Sequence, residues 1–350
     1  MGALDRCDLL RRVQTALDAF LDAHRPQLEA MGPELAPMAD AVQEFLLGGK
    51  RLRPGFCFWG HLGAGGADGE GIITAAAALE LFQACAIIHD DVMDGSDTRR
   101  GKPAVHRRFA NLHTTQGWNG DPAAFGRGAA ILLGDLCLAW SDEMLAASGL
   151  MSDPARVVFD AMRAELMGGQ YLDLLEQVRG ESTVASALRV ARFKSAKYTI
   201  VEPLHLGAAL AGAPAAVFAT YAAYGMPLGE AFQLRDDVLG VFGDPSITGK
   251  PAGDDLREGK RTVLVAMALE AATPAQAELV RRHLGDPLLD ASGVQLLRQV
   301  LTDTGAVARV EELITTCTQE ALMALKEADI TSEANDVLHE LALAATSRSA

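Results

Sequence analysis

The stretch IIHDDVMDGSDTRRGKP, residues 87–103, gathers four carboxylates, three of them within residues 90–94, and two guanidiniums at the end of an apolar run. Asp90 and Asp94 stand four residues apart, so on a helix they share a face, with Asp91 beside them. Two like charges about 5.5 Å apart repel by about 3 kcal/mol at an effective dielectric near 20. A helix C-terminus is also the unfavourable end for anions, because the macrodipole is negative there. A bound cation offsets both penalties. Carboxylate oxygens are hard ligands, and Mg²⁺ takes one or two of them together with substrate phosphates. Taken alone, the set reads equally well as a solvated acidic helix end.

A second set shifts that balance. EAFQLRDDVLGVFGD places Asp236 and Asp237 at the end of another apolar run, with Asp244 beyond. Two such pairs are expected to face each other across a bundle cavity and to hold a polyphosphate through shared metals, since facing helices are a usual place for metal sites. Cations stand nearby in sequence. GGKRLRP supplies Lys50, Arg51 and Arg53; Arg99 and Arg100 follow the first set; Lys194 lies in RFKSAKY; Lys250 and Lys260 follow the second set. Arginine forks match phosphate oxygens in pairs, and lysine acts as a point charge.

Helices must position these groups. Leu10, Val13, Leu17 and Leu21 recur at amphipathic spacing, and alanine-rich apolar runs follow, such as IITAAAALELFQACAIIH. Alternating strands and tight hairpin signals are absent. Turn-rich breaks fall at 61–71, 110–128 and 243–261. The pattern predicts one all-α domain over residues 1–350, with ten or more helices. Between Pro203 and Gly229 no charged residue occurs, but Pro214 divides the segment into halves shorter than the ~20 residues a spanning helix needs. Two buried core helices are expected there, and no integral membrane segment. The stretch 111–127 is read as a surface loop, with a flap over the site as the alternative.

The totals narrow the function. With 31 Lys and Arg against 46 Asp and Glu, the net charge is −15, which argues against nucleic acid. Five scattered cysteines without a CxxC pair indicate neither a disulfide framework nor a zinc site. The N-terminus has no apolar signal core, so a cytoplasmic enzyme is expected. His89 reads as a histidine with satisfied hydrogen bonds rather than a base, Cys85 as a small hydrophobe, and His61 and His106 carry no assigned role.

GGKRLRP, HDDVMDGSDTRRGKP, GGQYLD, AFQLRDDVLGVFGD and TGKPAGDDLREGKRT stand in the order of the motifs of trans-isoprenyl diphosphate synthases, the polyprenyl synthetases, which this chain resembles from about residue 40 to 265. The resemblance implies the isoprenoid synthase-type all-α bundle around a deep central cavity, usually as a homodimer. It implies Mg²⁺, several ions per site, and head-to-tail condensation of isopentenyl diphosphate with an allylic diphosphate. Asp90, Asp91 and Asp94 match the first metal-binding motif, and Asp236 and Asp237 the second. Arg99 matches the allylic-diphosphate arginine. Lys50, Arg53 and Arg100 match isopentenyl diphosphate ligands, and Lys194, Lys250 and Lys260 match lysines that grip the leaving diphosphate. Gln170 and Gln233 match glutamines lining the site, and Gln83 takes a place where the family often has histidine. The second motif departs from the family at Gly240, where an aspartate is usual. Asp244 lies too far along to replace it, so Asp236 is left with most of the metal role, and Gly240→Asp is expected to be tolerated.

Product length is read from the helix before Asp90. Cys85 and Ala86, one turn back, are small; Phe82, two turns back, is the first bulky residue on the face of Asp90. A twenty-carbon product, geranylgeranyl diphosphate, is expected, with farnesyl diphosphate as the alternative. Two other readings are a class I terpene cyclase, opposed by GGKRLRP and the arginine pair, and a non-catalytic subunit of a heteromeric synthase, which Gly240 keeps open.

Overall fold

The computed structural model describes residues 6–180, 182–243, 253–286 and 288–346. The helices in chain order are α1 (Arg6–Met31), α2 (Ala36–Phe45), α3 (Leu52–Gly63), α4 (Glu70–Asp94), α5 (Val105–Thr115), α6 (Pro122–Ala147), α7 (Asp153–Arg179) and α8 (Val184–Val190). A π-helical segment, Ala191–Val201, joins α8 to α9 (Glu202–Leu210). There follow α10 (Ala215–Phe242), α11 (Asp254–Glu258), α12 (Val263–Ala271), α13 (Pro274–His283), α14 (Ala291–Asp303), α15 (Ala306–Lys326) and α16 (Ser332–Thr346). The all-α expectation holds. The chain forms two compact units, one from residues 1–157, 203–214 and 330–337, the other from 158–202, 215–329 and 338–350.

In the first unit, α1 buries the stripe Val13, Leu17 and Leu21 that its spacing foretold. Helix α4 is buried nearly all round; Ala75–Ala78 are fully covered, as small side chains permit when neighbouring helices approach closely. It stops at Gly95, whose φ of 68° takes the left-handed turn that ends a helix. Asp121 caps α6 by accepting from the amides of Ala123 and Ala124, with Pro122 preset at the first helical position.

Two expectations need correction here. Thr98–Arg99 and Lys102–Pro103 pair as a minimal antiparallel hairpin. Its two-residue turn, Arg100 and Gly101, has φ of 53° and 74°, the left-handed pair of a type I′ turn. Strands of two residues carry no alternation, so periodicity could not reveal them. The stretch 111–127 is not a loop: α5 runs to Thr115 and α6 starts at Pro122. Trp118, in the short connection, stacks edge-on to Phe125 at 5.3 Å and His113 at 5.9 Å.

In the second unit, Leu234, Val238 and Val241 of α10 pack on a core with Leu256, Leu264, Leu297 and Ile314. Helix α9, which belongs to the first unit from residue 203, and α10 of the second are the two expected from the uncharged segment, separated in the chain at 211–214. Tyr224 is buried and donates its hydroxyl to the Leu338 carbonyl at 2.7 Å. Elsewhere, α4 and α6 are long and apolar enough to cross a membrane by length and composition. Of their most apolar windows, 72% is buried in the fold for α4 and 33% for α6.

Candidate active site

Asp90, Asp91 and Asp94 occupy the last turn of α4, as the spacing required. Asp91 is fully buried; Asp90 and Asp94 are half-buried. The hairpin turns Arg99 back onto this turn. Its Nε donates to Asp91 Oδ1 at 2.9 Å, its Nη2 reaches the same oxygen, and Asp90 Oδ2 lies 4.0 Å away. The guanidinium thus answers part of the charge that made the first set unfavourable. Arg100, one residue on, donates to the Phe45 carbonyl at 3.4 Å and lies over the Phe45 ring at 5.7 Å. Desolvation and the neighbouring Arg51, Arg99 and Arg53 lower its pKa, while Glu80 opposes them. Arg99, Arg100 and Lys102 border a cleft of ≈ 640 Å³ whose other walls include Phe45, Leu47 and Val105.

Lys50 is exposed and Arg53 half-buried, while Arg51 between them is buried in a left-handed conformation. Arg51 pairs with Glu80 of α4 and donates to Gln14 Oε1 at 2.6 Å and to the Leu46 carbonyl. Sequence reasoning grouped Arg51 with the cations expected to meet phosphate and could not see Glu80, 29 residues away; the pair instead anchors the basic loop to α4.

On α4, Phe82 is fully buried, Gln83 and Ala86 half-buried. Cys85 lies against α6: its Sγ is 3.7 Å from His89 Nδ1, and His89 Nε2 donates to the Ile131 carbonyl at 3.0 Å. Burial pushes the Cys85 thiol up to about 12, so it is a packing group. His89 is satisfied, as read. Burial lowers the pKa of His61, which sits 3.2 Å from the Gly207 carbonyl, and of His106.

In the second unit the GGQYLD motif finds its reason. A Cβ on Gly169 would come within 2.5 Å of the Lys194 backbone nitrogen, and one on Gly229 equally close to Ala196. Two glycines therefore let α7 and α10 press on the π segment that carries Lys194. Lys194 Nζ donates to Asp173 Oδ2 at 2.5 Å. Gln170, on the same helix as Asp173, is buried. Farther along the π segment, Lys197 pairs with Glu165 and stands 3.6 Å from Glu202. Burial raises the Glu202 carboxyl to about 7; Glu165 adds to the rise and Lys197 opposes it.

Asp236 and Asp237 lie near the end of α10, Asp236 half-buried and Asp237 buried. Gln233 donates to Asp237 Oδ1 at 2.7 Å. Desolvation holds the Asp237 carboxyl well above the usual carboxylate range; Asp255 and Asp236 push the same way, and Gln233 and Lys260 oppose. Lys260 stands 2.7 Å from Glu258 and 3.4 Å from Asp255. Lys250 and Asp244 lie outside the described residues.

Among the described residues, no three His, Cys, Asp or Glu side chains already converge as a metal cage. Both aspartate sets nonetheless fit Mg²⁺, which accepts few protein carboxylates and leaves positions for phosphate oxygens. Asp236 and Asp255 also repel the Asp237 carboxylate, and a divalent cation would relieve that repulsion.

The fold and these two acidic helix ends, each with basic neighbours, place the chain among all-α synthases that handle diphosphates. The polyprenyl synthetase family model matches residues 36–301. A geranylgeranyl pyrophosphate synthase from Corynebacterium glutamicum, crystallised with isoprenyl diphosphate and magnesium, is 41% identical with a TM-score of 0.95, over 99% of this chain and 100% of that one. A geranylfarnesyl diphosphate synthase from Aeropyrum pernix is 33% identical over 75% of this chain and 79% of its own length. A (2E,6E)-farnesyl diphosphate synthase from Mycobacterium tuberculosis is 32% identical over 82% of this chain and 77% of its own. The chain belongs to the polyprenyl synthetase family and is an enzyme, a trans-prenyltransferase that makes prenyl diphosphates.

Proposed function

We propose that this chain condenses isopentenyl diphosphate head-to-tail with an allylic diphosphate and stops at twenty carbons, geranylgeranyl diphosphate, working as one catalytic domain. Asp90, Asp91, Asp94 and Asp236 would hold Mg²⁺, several ions per site. When bound, the metal stabilises negative charge developing on the departing diphosphate. Arg99, Lys194 and Lys260 supply positive charge to diphosphate oxygens, and Lys250 is assigned with them from its motif. Lys50, Arg53 and Arg100 orient isopentenyl diphosphate; the cleft beside Arg100, with cations at its rim and Phe45 and Leu47 in its wall, suits a short prenyl group bearing a diphosphate. The allylic C–O bond breaks, the isopentenyl double bond attacks the resulting cation, and the diphosphate leaving group takes the final proton. Apolar walls keep water from that cation.

The observation that carries the length is the unbroken α4 below Asp90. Eight residues at 1.5 Å put Phe82 about 12 Å down the helix, with only Ala86 between them on that face. Each isoprene unit adds four bonds, roughly 5 Å when extended. The relatives include farnesyl, geranylgeranyl and geranylfarnesyl synthases, so the length is read from this chain's own residues. Incubating the purified protein alone with isopentenyl diphosphate, dimethylallyl diphosphate and Mg²⁺, then sizing the products, is the test. Geranylgeranyl diphosphate is the expected product. Farnesyl diphosphate would place the floor higher, a cyclic hydrocarbon from farnesyl diphosphate supplied alone would indicate a cyclase, and no product from either mixture would indicate a partner-dependent subunit.

A homodimer is proposed with it. Phe125, Ile131 and Leu132 lie exposed on α6, the last at 62%, and form an apolar face suited to a second copy. Sedimentation of the purified chain measures this directly.

A further inference from the structure

The two aspartate sets differ at one position. Asp94 stands four residues after Asp90, whereas four residues after Asp236 stands Gly240. The space beside Gly240 is taken. A Cβ built there would lie 1.8 Å from Oδ2 of Asp255 and 2.7 Å from its Cγ. The Asp255 carboxyl, carried by α11, therefore sits where a side chain at 240 would project from α10. Positions 236 and 240 share a helical face, so this carboxyl lies one turn beyond Asp236 on its side.

We propose that Asp255 supplies the third carboxylate of the second metal-binding set, and that Gly240 is what admits it. The inference rests on the prenyl-transfer reading and adds a residue to its site. Two further observations agree. Lys260 stands 3.4 Å from Oδ1 of Asp255, whereas Oδ2 is the atom against Gly240. Gly253, with φ of 75°, starts the short helix that carries Asp255 toward α10. The position that Asp94 fills on α4 is thus taken, one turn beyond Asp236, by a carboxyl from another helix. Against the expectation that Gly240→Asp is tolerated, its side chain would meet the Asp255 carboxyl, which must shift aside to admit it.

The test is Mn²⁺ binding to the full chain with inorganic diphosphate, followed by the electron paramagnetic resonance signal of free Mn²⁺, with no turnover involved. Asp255→Asn is expected to weaken binding ~10–100-fold. Gly240→Asp should weaken it as well, and the double variant Gly240→Asp/Asp255→Ala should restore it by returning the carboxylate to α10. Circular dichroism confirms that each variant is folded. Wild-type affinity in folded Asp255→Asn, or no recovery in the folded double variant, overturns the proposal. Asp91→Asn is the control. If it loses Mn²⁺ while Asp255→Asn does not, the inference fails and the prenyl-transfer reading stands; if neither loses Mn²⁺, the metal reading itself falls.

Discussion

Replacing Phe82 by alanine tests the length assignment most directly. Phe82 is fully buried in α4, and the next residue back on its face, Ala78, is also small and buried. Removing the ring opens one further helical turn, four residues at 1.5 Å or about 6 Å. One more isoprene unit needs roughly 5 Å, so the main product should move from twenty to about twenty-five carbons, with little change in the rate of the first condensation. The same truncation removes a core side chain, at a typical cost of about 3–5 kcal/mol, so the variant must be shown to be folded by thermal melting. Phe82→Leu is the milder companion and should give a mixture. Radiolabelled isopentenyl diphosphate with chromatographic sizing reads the outcome. A folded, active Phe82→Ala enzyme with an unchanged product distribution would refute the floor, and length would then be set by another helix.

Asp91→Asn should nearly abolish turnover and also lower stability, because it takes from Arg99 its buried charged partner; a hydrogen bond to a charged group contributes about 1.5–3 kcal/mol. Activity near wild type in a steady-state assay would contradict the metal assignment. Arg51→Met leaves Glu80 buried without its cation and should cost about 3–5 kcal/mol in urea unfolding; a loss under about 1 kcal/mol would mean that the pair does not anchor the loop. Glu202 has a folded-state pKa near 7, above its ordinary 4.5, so the folded state binds the extra proton. Its contribution is therefore present below about pH 4.5 and is lost as pH rises through about 7, on the order of 3 kcal/mol in all. Glu202→Gln should flatten that part of the stability–pH curve, and an unchanged slope between pH 5 and 8 would show that Glu202 ionises freely.

The helices and the first aspartate set were legible in the sequence because both are local. Apolar spacing reports which face is buried, and Asp90, Asp91 and Asp94 meet through helical geometry alone. The motif order carried the family for the same reason: each motif is a short run read in place. The hairpin escaped because two-residue strands leave no period, and its signal was instead the Arg100-Gly101 turn. What only the tertiary structure decided is which distant groups share a space. Asp173 meets Lys194 across 21 residues, Glu80 meets Arg51 across 29, and Asp255 enters the gap left by Gly240. Sequence showed that gap as a missing carboxylate, because spacing along one helix can only count its own side chains. Close packing fills any space a side chain vacates, and here the occupant is a carboxylate from another helix.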